Sequence, residues 1–227
     1  MTARICVSIL PKTNLEALKL IERAEKAQAD FVEVRLDYLE TSRKLSDLSA
    51  STKIPLIATN KLQNEKGYFA GAETERQQTL LNAAKNGFQY VDVALSNPKH
   101  KDTISQLRLL GAKPIVSYHK FDGTLNASAM EKVLDEEIAS GATVCKIVVT
   151  AKHVEDNLPV LSFVSFASSK AKLVCFCMGE QGKISRLLSP VFGSFFTFAS
   201  LENGCETAVG QMSIGEMRSA YSVLGMK

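Results

Sequence analysis

The chain has 227 residues, 45% of them apolar and 22% charged, enough apolar material for one well-packed domain and too much for a disordered chain. Lys plus Arg number 27 against 24 Asp plus Glu, leaving +3 with no block of like charge, so no nucleic-acid partner and no acidic tail are indicated. No apolar run approaches the roughly 18 residues of a membrane span, and Pro11 ends the run at 5–10 too early for a signal-peptide core, so the reading is a cytoplasmic protein with no membrane partner.

In chain order, a strand-like run at 4–10 leads into a helical pattern from Asn14, a run at 31–36 into one near Ser42, and a run at 56–61 into one from Glu73. Runs at 90–95, 115–119, 143–149, 173–178 and 194–198 precede helical patterns near Lys99, Asn126, His153, Gly182 and Ser213. Asn14, Asn126 and Ser213 are cap-capable residues at such starts. Eight βα units in one chain of this length predict a (β/α)8 TIM barrel, an α/β fold, with residues 1–227 as a single catalytic domain. A doubly wound open sheet is the alternative, but no GxGxxG follows the first strand. Of five cysteines, Cys6, Cys145, Cys175 and Cys177 lie in apolar runs without CxxC spacing and read as reduced core residues.

Side chains alternate along a strand, so one parity of each run faces the barrel axis. That parity carries Ser8, Glu33, Arg35, Asp92, Ser117, His119 and Lys146. Barrel interiors are normally filled by branched apolar side chains, so charges converging near strand C-termini indicate a site. Glu33 and Arg35 also admit a plain ion pair, and His119 a hydrogen-bonded rim histidine. Lys146, flanked by Val144, Cys145, Ile147 and Val148, has no evident structural excuse. With no carboxylate close to it, burial lowers its pKa and exposes a nucleophilic amine suited to a Schiff base. His119, ending the preceding strand, is placed to shuttle protons.

At these residues the chain resembles the type I 3-dehydroquinases, along its whole length. The matching segments are Cys6-Val7-Ser8, Glu33-Val34-Arg35-Leu36-Asp37, Val116-Ser117-Tyr118-His119, Lys146-Ile147, Gly182-Lys183-Ile184-Ser185-Arg186, Phe192-Gly193-Ser194, Thr197-Phe198 and Gly210-Gln211. The resemblance implies dehydration of 3-dehydroquinate to 3-dehydroshikimate in the shikimate pathway, without metal or organic cofactor. It makes Lys146 the covalent amine and His119 the base and then the acid. Arg186 would hold the substrate carboxylate, Glu33 and Arg35 its ring hydroxyls, and Ser8, Thr207 and Gln211 would add neutral hydrogen bonds. Phe176, Met178 and Phe198 would form apolar walls.

Lys61, a further substrate-binding residue by the resemblance, stands where the family usually has arginine and so offers a point charge in place of a bidentate contact; Thr207 stands where it has serine, and Val209 where proline is common. Glu65 is read as orienting His119 or as a solvated loop carboxylate, and Asp92 as a supporting group. The polar segment 200–210 suits a mobile lid. The chain lacks the short N-terminal hairpin that often plugs the barrel bottom in the family, which leaves closure of that end open. A homodimer follows only by resemblance, and some relatives carry a shikimate dehydrogenase fused after the barrel. Two other functions compete. A class I aldolase for sugar phosphates needs a phosphate site, against which Glu180 between Gly179 and Gly182 speaks. A non-catalytic metabolite-binding barrel has no use for Lys146 beside His119.

Overall fold

The structure, a computed structural model, describes residues 3–40 and 44–226. Each apolar run forms a strand: β1 (Ile5–Ile9), β2 (Phe31–Arg35), β3 (Leu56–Thr59), β4 (Tyr90–Ala94), β5 (Lys113–His119), β6 (Val144–Thr150), β7 (Leu173–Met178) and β8 (Thr197–Ala199). The helices are α1 (Asn14–Lys26), α2 (Leu45–Ala50), α3 (Glu73–Lys85), α4 (His100–Leu109), α5 (Ala127–Ala139), α6 (Asn157–Ala167), α7 (Lys183–Leu188) and α8 (Ile214–Val223). The strands are parallel in the order β7-β6-β5-β4-β3-β2-β1-β8. The segment entering β8 reaches back to β7, where the Phe195 N–H donates to Leu173 O at 2.7 Å, so the sheet nearly closes into the expected (β/α)8 barrel. No described helix is long and apolar enough to cross a membrane.

The boundaries differ from expectation where side chains take over backbone hydrogen bonding. Helix α1 is capped by Thr13, whose Oγ1 accepts the Glu16 N–H at 3.2 Å, and Asn14 is already helical. The helix expected from His153 begins at Asn157, because Val154–Asp156 forms a 3-10 turn in which Asp156 accepts the Lys152 and His153 N–H groups. The eighth strand starts at Thr197, since Ser194 Oγ donates to Leu173 O and Phe196 O and turns the chain there. The helix start near Ser42 lies outside the described residues.

Outward side chains such as Val32, Val34, Val91 and Val93, and Cys145, Ile147 and Cys175 on the other side, pack under the helices. The opposite parity fills the interior. Its lower layer is aromatic: Phe31 meets Tyr90 edge-on at 5.6 Å and Phe196 at 4.8 Å, and the Arg4 guanidinium lies 4.0 Å from the Phe195 ring. These rings fill the interior at the N-terminal strand ends. Cys6, Cys145, Cys175 and Cys177 are buried and free, as expected.

One acid sits where the pattern calls for an apolar residue. Glu137 of α5 is fully buried, with no hydrogen bond of ordinary geometry to either carboxyl oxygen. Burial pushes its pKa well above the usual value, against the weaker pull of the Lys146 backbone and the Cys145 thiol. A carboxyl whose folded pKa is raised costs stability as pH climbs above its unfolded pKa, because only the unfolded chain releases the proton freely. Glu137→Met is therefore expected to stabilise the fold by about 1–3 kcal/mol at neutral pH. Its advantage should shrink as pH falls towards ~4.3, the unfolded value. Thermal denaturation from pH 4 to 8 measures this; a destabilised variant would show that the carboxyl is satisfied.

Candidate active site

The inward polar residues meet at the C-terminal strand ends around a cavity of about 470 Å³. Asp92 is the hub: Oδ1 accepts from Lys61 Nζ at 2.8 Å and Ser117 Oγ at 2.8 Å, and Oδ2 from Lys146 Nζ at 3.0 Å. Glu33 Oε1 accepts from Thr59 Oγ1 at 2.8 Å and lies 3.8 Å from Lys146 Nζ, while Oε2 accepts from Ser8 Oγ. Lys146 Nζ also sits 4.4 Å from the Phe198 ring centroid.

This network corrects the expectation for Lys146. Burial does disfavour its ammonium, but Asp92 and Glu33 outweigh burial and raise its pKa above the ordinary lysine value. The carboxylates reach it from β4 and β2 across the barrel, so its own strand gives no hint of them. For Asp92, burial is likewise overcome by Lys146 and Lys61, and its pKa falls far below the usual carboxylate range. His119 goes the other way: burial, then Lys61 and Lys146, lower its pKa well below 6.5. The same burial and cations favour the neutral ring.

Arg35 pairs with Asp37 and not with Glu33, donating from Nε at 2.8 Å and Nη2 at 2.6 Å. Burial lowers its pKa, but Asp37, helped by Glu33 and Tyr38, raises it by more. Arg186 is the opposite case. It is 2% exposed, its guanidinium lies 4.4 Å from the Phe176 ring centroid, its Nε has no partner, and among the described residues no carboxylate pairs with it. Burial alone brings its pKa down to about 10. A buried cation without a counter-ion, facing a cavity, has charge and donors to offer an anion.

The segment after β8 forms the rim. Thr207 N–H and Oγ1 donate to Gln211 Oε1 at 2.6 and 3.2 Å, and the Gly179 N–H donates to Val209 O at 3.0 Å. Gly210, at φ +75°, packs so closely on Gly179 that a Cβ would lie 2.0 Å from its carbonyl oxygen. Segment 200–210 thus reaches over the mouth at Thr207, Ala208 and Val209.

Of the residues singled out from sequence, Glu33, Arg35, Lys61, Glu65, His119, Lys146, Arg186, Thr207 and Gln211 line the cavity. Ser8 and Asp92 do not. Ser8 lies opposite Glu33 in the strand register, and its short side chain ends on that carboxylate, which it supports. Glu65 makes no hydrogen bond to His119. Its oxygens instead accept from Ser96 Oγ at 3.3 Å and Leu62 N–H at 3.4 Å, with Arg76 at 3.9 Å.

The sequence profile of the family described as Type I 3-dehydroquinase matches residues 5–227. The chain belongs to this family of lyases. A 3-dehydroquinate dehydratase of Dehalococcoides mccartyi is 34% identical over 217 residues, covering 96% of this chain and 94% of that protein. The crystal structure of 3-dehydroquinate dehydratase from Geobacillus kaustophilus superposes with a TM-score of 0.89 at 25% identity, over 99% of this chain and 92% of that one. A dehydroquinate dehydratase and shikimate dehydrogenase from S. pombe matches at TM-score 0.76 and 24% identity, over 100% of this chain and 45% of that one. The fused arrangement expected from resemblance therefore exists among proteins of this fold.

Other lining residues of this type I dehydroquinase family member escaped the sequence reading: Thr59, Lys66, Phe121, Val148, Thr150 and Gly179. Thr59, Val148 and Thr150 share the inward parity of Lys61 and Lys146, so the parity rule could have found them. The loop residues carry no such signal.

Proposed function

We propose that the chain dehydrates 3-dehydroquinate to 3-dehydroshikimate through a Schiff base on Lys146, with His119 as general base and then acid. The observation that carries this reading is a buried lysine and a histidine opening on one cavity that is also lined by Arg186, a buried cation with no carboxylate partner among the described residues.

Asp92 and Glu33 hold Lys146 as an ammonium until substrate arrives, so the amine must shed a proton before attack. Neutral His119 can receive it. Lys146 Nζ then adds to the ring ketone, and His119 passes the proton it received to the carbinolamine hydroxyl, which leaves as water, giving an iminium that acidifies the adjacent carbon and leaving His119 neutral again. His119 removes that proton and returns it to the departing hydroxyl, which leaves as water. Hydrolysis of the imine frees product and regenerates the amine, so the net loss is one water. Glu33 and Arg35 engage ring hydroxyls, Thr207 and Gln211 the rim of the substrate, and Lys61 holds Asp92 in place. Incubation with 3-dehydroquinate and borohydride, followed by peptide mass spectrometry, should find a reduced adduct on Lys146; no adduct, or one elsewhere, overturns the reading.

Arg186 would receive the substrate carboxylate. Charge-assisted hydrogen bonds are worth about 1.5–3 kcal/mol each, so Arg186→Met is expected to raise KM by roughly 10–100-fold. The melting temperature should hold or rise, because an unpaired buried charge is removed. Steady-state kinetics with thermal denaturation checks both; an unchanged KM would take Arg186 out of carboxylate recognition.

A further inference from the structure

His119 makes no hydrogen bond through either ring nitrogen among the described residues, so none fixes the plane of its imidazole. Its ring lies instead against Phe121, with centroids 6.0 Å apart and planes 15° from parallel. Phe121 stands just past the end of β5 and lines the cavity. A second group engages the same ring: Lys66 Nζ lies 4.5 Å from the Phe121 centroid. Lys66 ends the 3-10 turn Gln63–Glu65 at φ +59°, in the left-handed region that non-glycine residues seldom adopt. Among the described residues it pairs with no carboxylate. An uncommon backbone conformation thus directs a cation to the ring on which the histidine rests.

We propose that Phe121 is a positioning residue for His119 and that Lys66 holds Phe121 in place, fixing the imidazole plane before substrate binds. The proposal rests on the reading of His119 as general base. Rotation of an imidazole about χ2 is soft, while proton transfer needs alignment within hydrogen-bond reach of the abstracted proton. The charged groups around His119, namely Arg35 at the end of β2, Lys61 after β3, Asp92 on β4 and Lys146 on β6, set its protonation but do not bond to the ring. A near-parallel aromatic face restrains the rotation that they leave free, and a cation over a ring is attracted to that ring.

The test combines NMR of the His119 ring protons with steady-state kinetics on 3-dehydroquinate. Lys66→Asn keeps a residue that tolerates the left-handed conformation and removes the ammonium; it should shift the His119 resonances and lower kcat about 2–5-fold with KM unchanged. Phe121→Leu should lower kcat roughly 10–100-fold with KM within about 2-fold. Lys66→Arg and Phe121→Tyr should restore kcat. In the Phe121→Leu background, Lys66→Asn should add nothing, since its target ring is gone. Unmoved His119 resonances in Lys66→Asn, or losses confined to KM as for a plain cavity wall, would overturn the proposal. Shifted resonances support it even if the unmodified protein traps no adduct with 3-dehydroquinate, an outcome that fails the substrate assignment and not the contact.

Discussion

Replacing Lys146 by methionine is expected to lower turnover of 3-dehydroquinate by at least ~10⁴-fold, because the amine that activates the adjacent carbon is removed, while the cavity's other amines are engaged elsewhere, Lys61 by Asp92 and Ser117 and Lys66 over the Phe121 ring. Methionine matches the length of the side chain but strips the ammonium from Asp92 and Glu33. Removing one partner of a buried pair ordinarily costs about 3–5 kcal/mol; here Asp92 keeps Lys61 and Ser117, so the cost should fall below that range. The pH dependence gives the signature. The depressed folded pKa of Asp92 lends stability above its unfolded pKa of ~3.9, and that stability is lost as pH falls through the folded value. With Lys146 gone the depression relaxes, so the variant should be less stable at neutral pH and converge on the parent in acid. Ultraviolet detection of the conjugated product and thermal denaturation across pH read the two effects. Residual turnover within 100-fold of the parent would place the covalent amine elsewhere.

The second large effect is expected from His119→Asn. Loss of a positioned general base typically costs 10²–10⁴-fold, and asparagine keeps a polar group of similar reach without a titrating nitrogen. Adduct formation on Lys146 should persist, but the species trapped by borohydride should shift towards the substrate adduct, heavier by one water than the product adduct. In the parent, kcat/KM should decline on the acid side below the usual histidine range, since the ring acts only when neutral and its pKa is lowered by burial and by the neighbouring ammoniums of Lys61 and Lys146. Lys146, with its pKa raised, titrates as part of the same coupled system. The acid limb should vanish in the variant. A parent profile that stays flat on the acid side would remove His119 as the shuttle.

The strands were legible because buried parallel strands read as runs of Val, Ile and Phe, and strand parity alone brought Glu33, Arg35, Asp92, Ser117, His119 and Lys146 to one face. What parity cannot give is depth or partner choice. Ser8 has the right parity and stops at Glu33; Lys146 looks isolated in sequence and is held by carboxylates from two other strands. The choice of Asp37 over Glu33 by Arg35 depends on the 3-10 turn Leu36–Tyr38, which follows β2 at once. Lys66 and Phe121 stand on loops, where no period marks them and only the packed chain brings cation, ring and imidazole together. The cap of the first helix, at Thr13, and the start of the sixth, at Asn157, were misread for a related reason, since side-chain acceptors decided them.

The aromatic layer at the foot of the barrel and the charged layer at its mouth are written into the same short strands. In β2, Phe31 belongs to the first and Arg35 to the second. Sequence drift therefore meets two kinds of penalty within a single run of five residues. At the foot, a lineage can exchange one ring for another bulky side chain and register the change only as a warmer or cooler limit of survival. At the mouth, a change of similar size alters the chemistry while the barrel stands. Divergence within this architecture is thus free to tune endurance and reactivity separately, although no boundary in the chain divides the residues responsible for each.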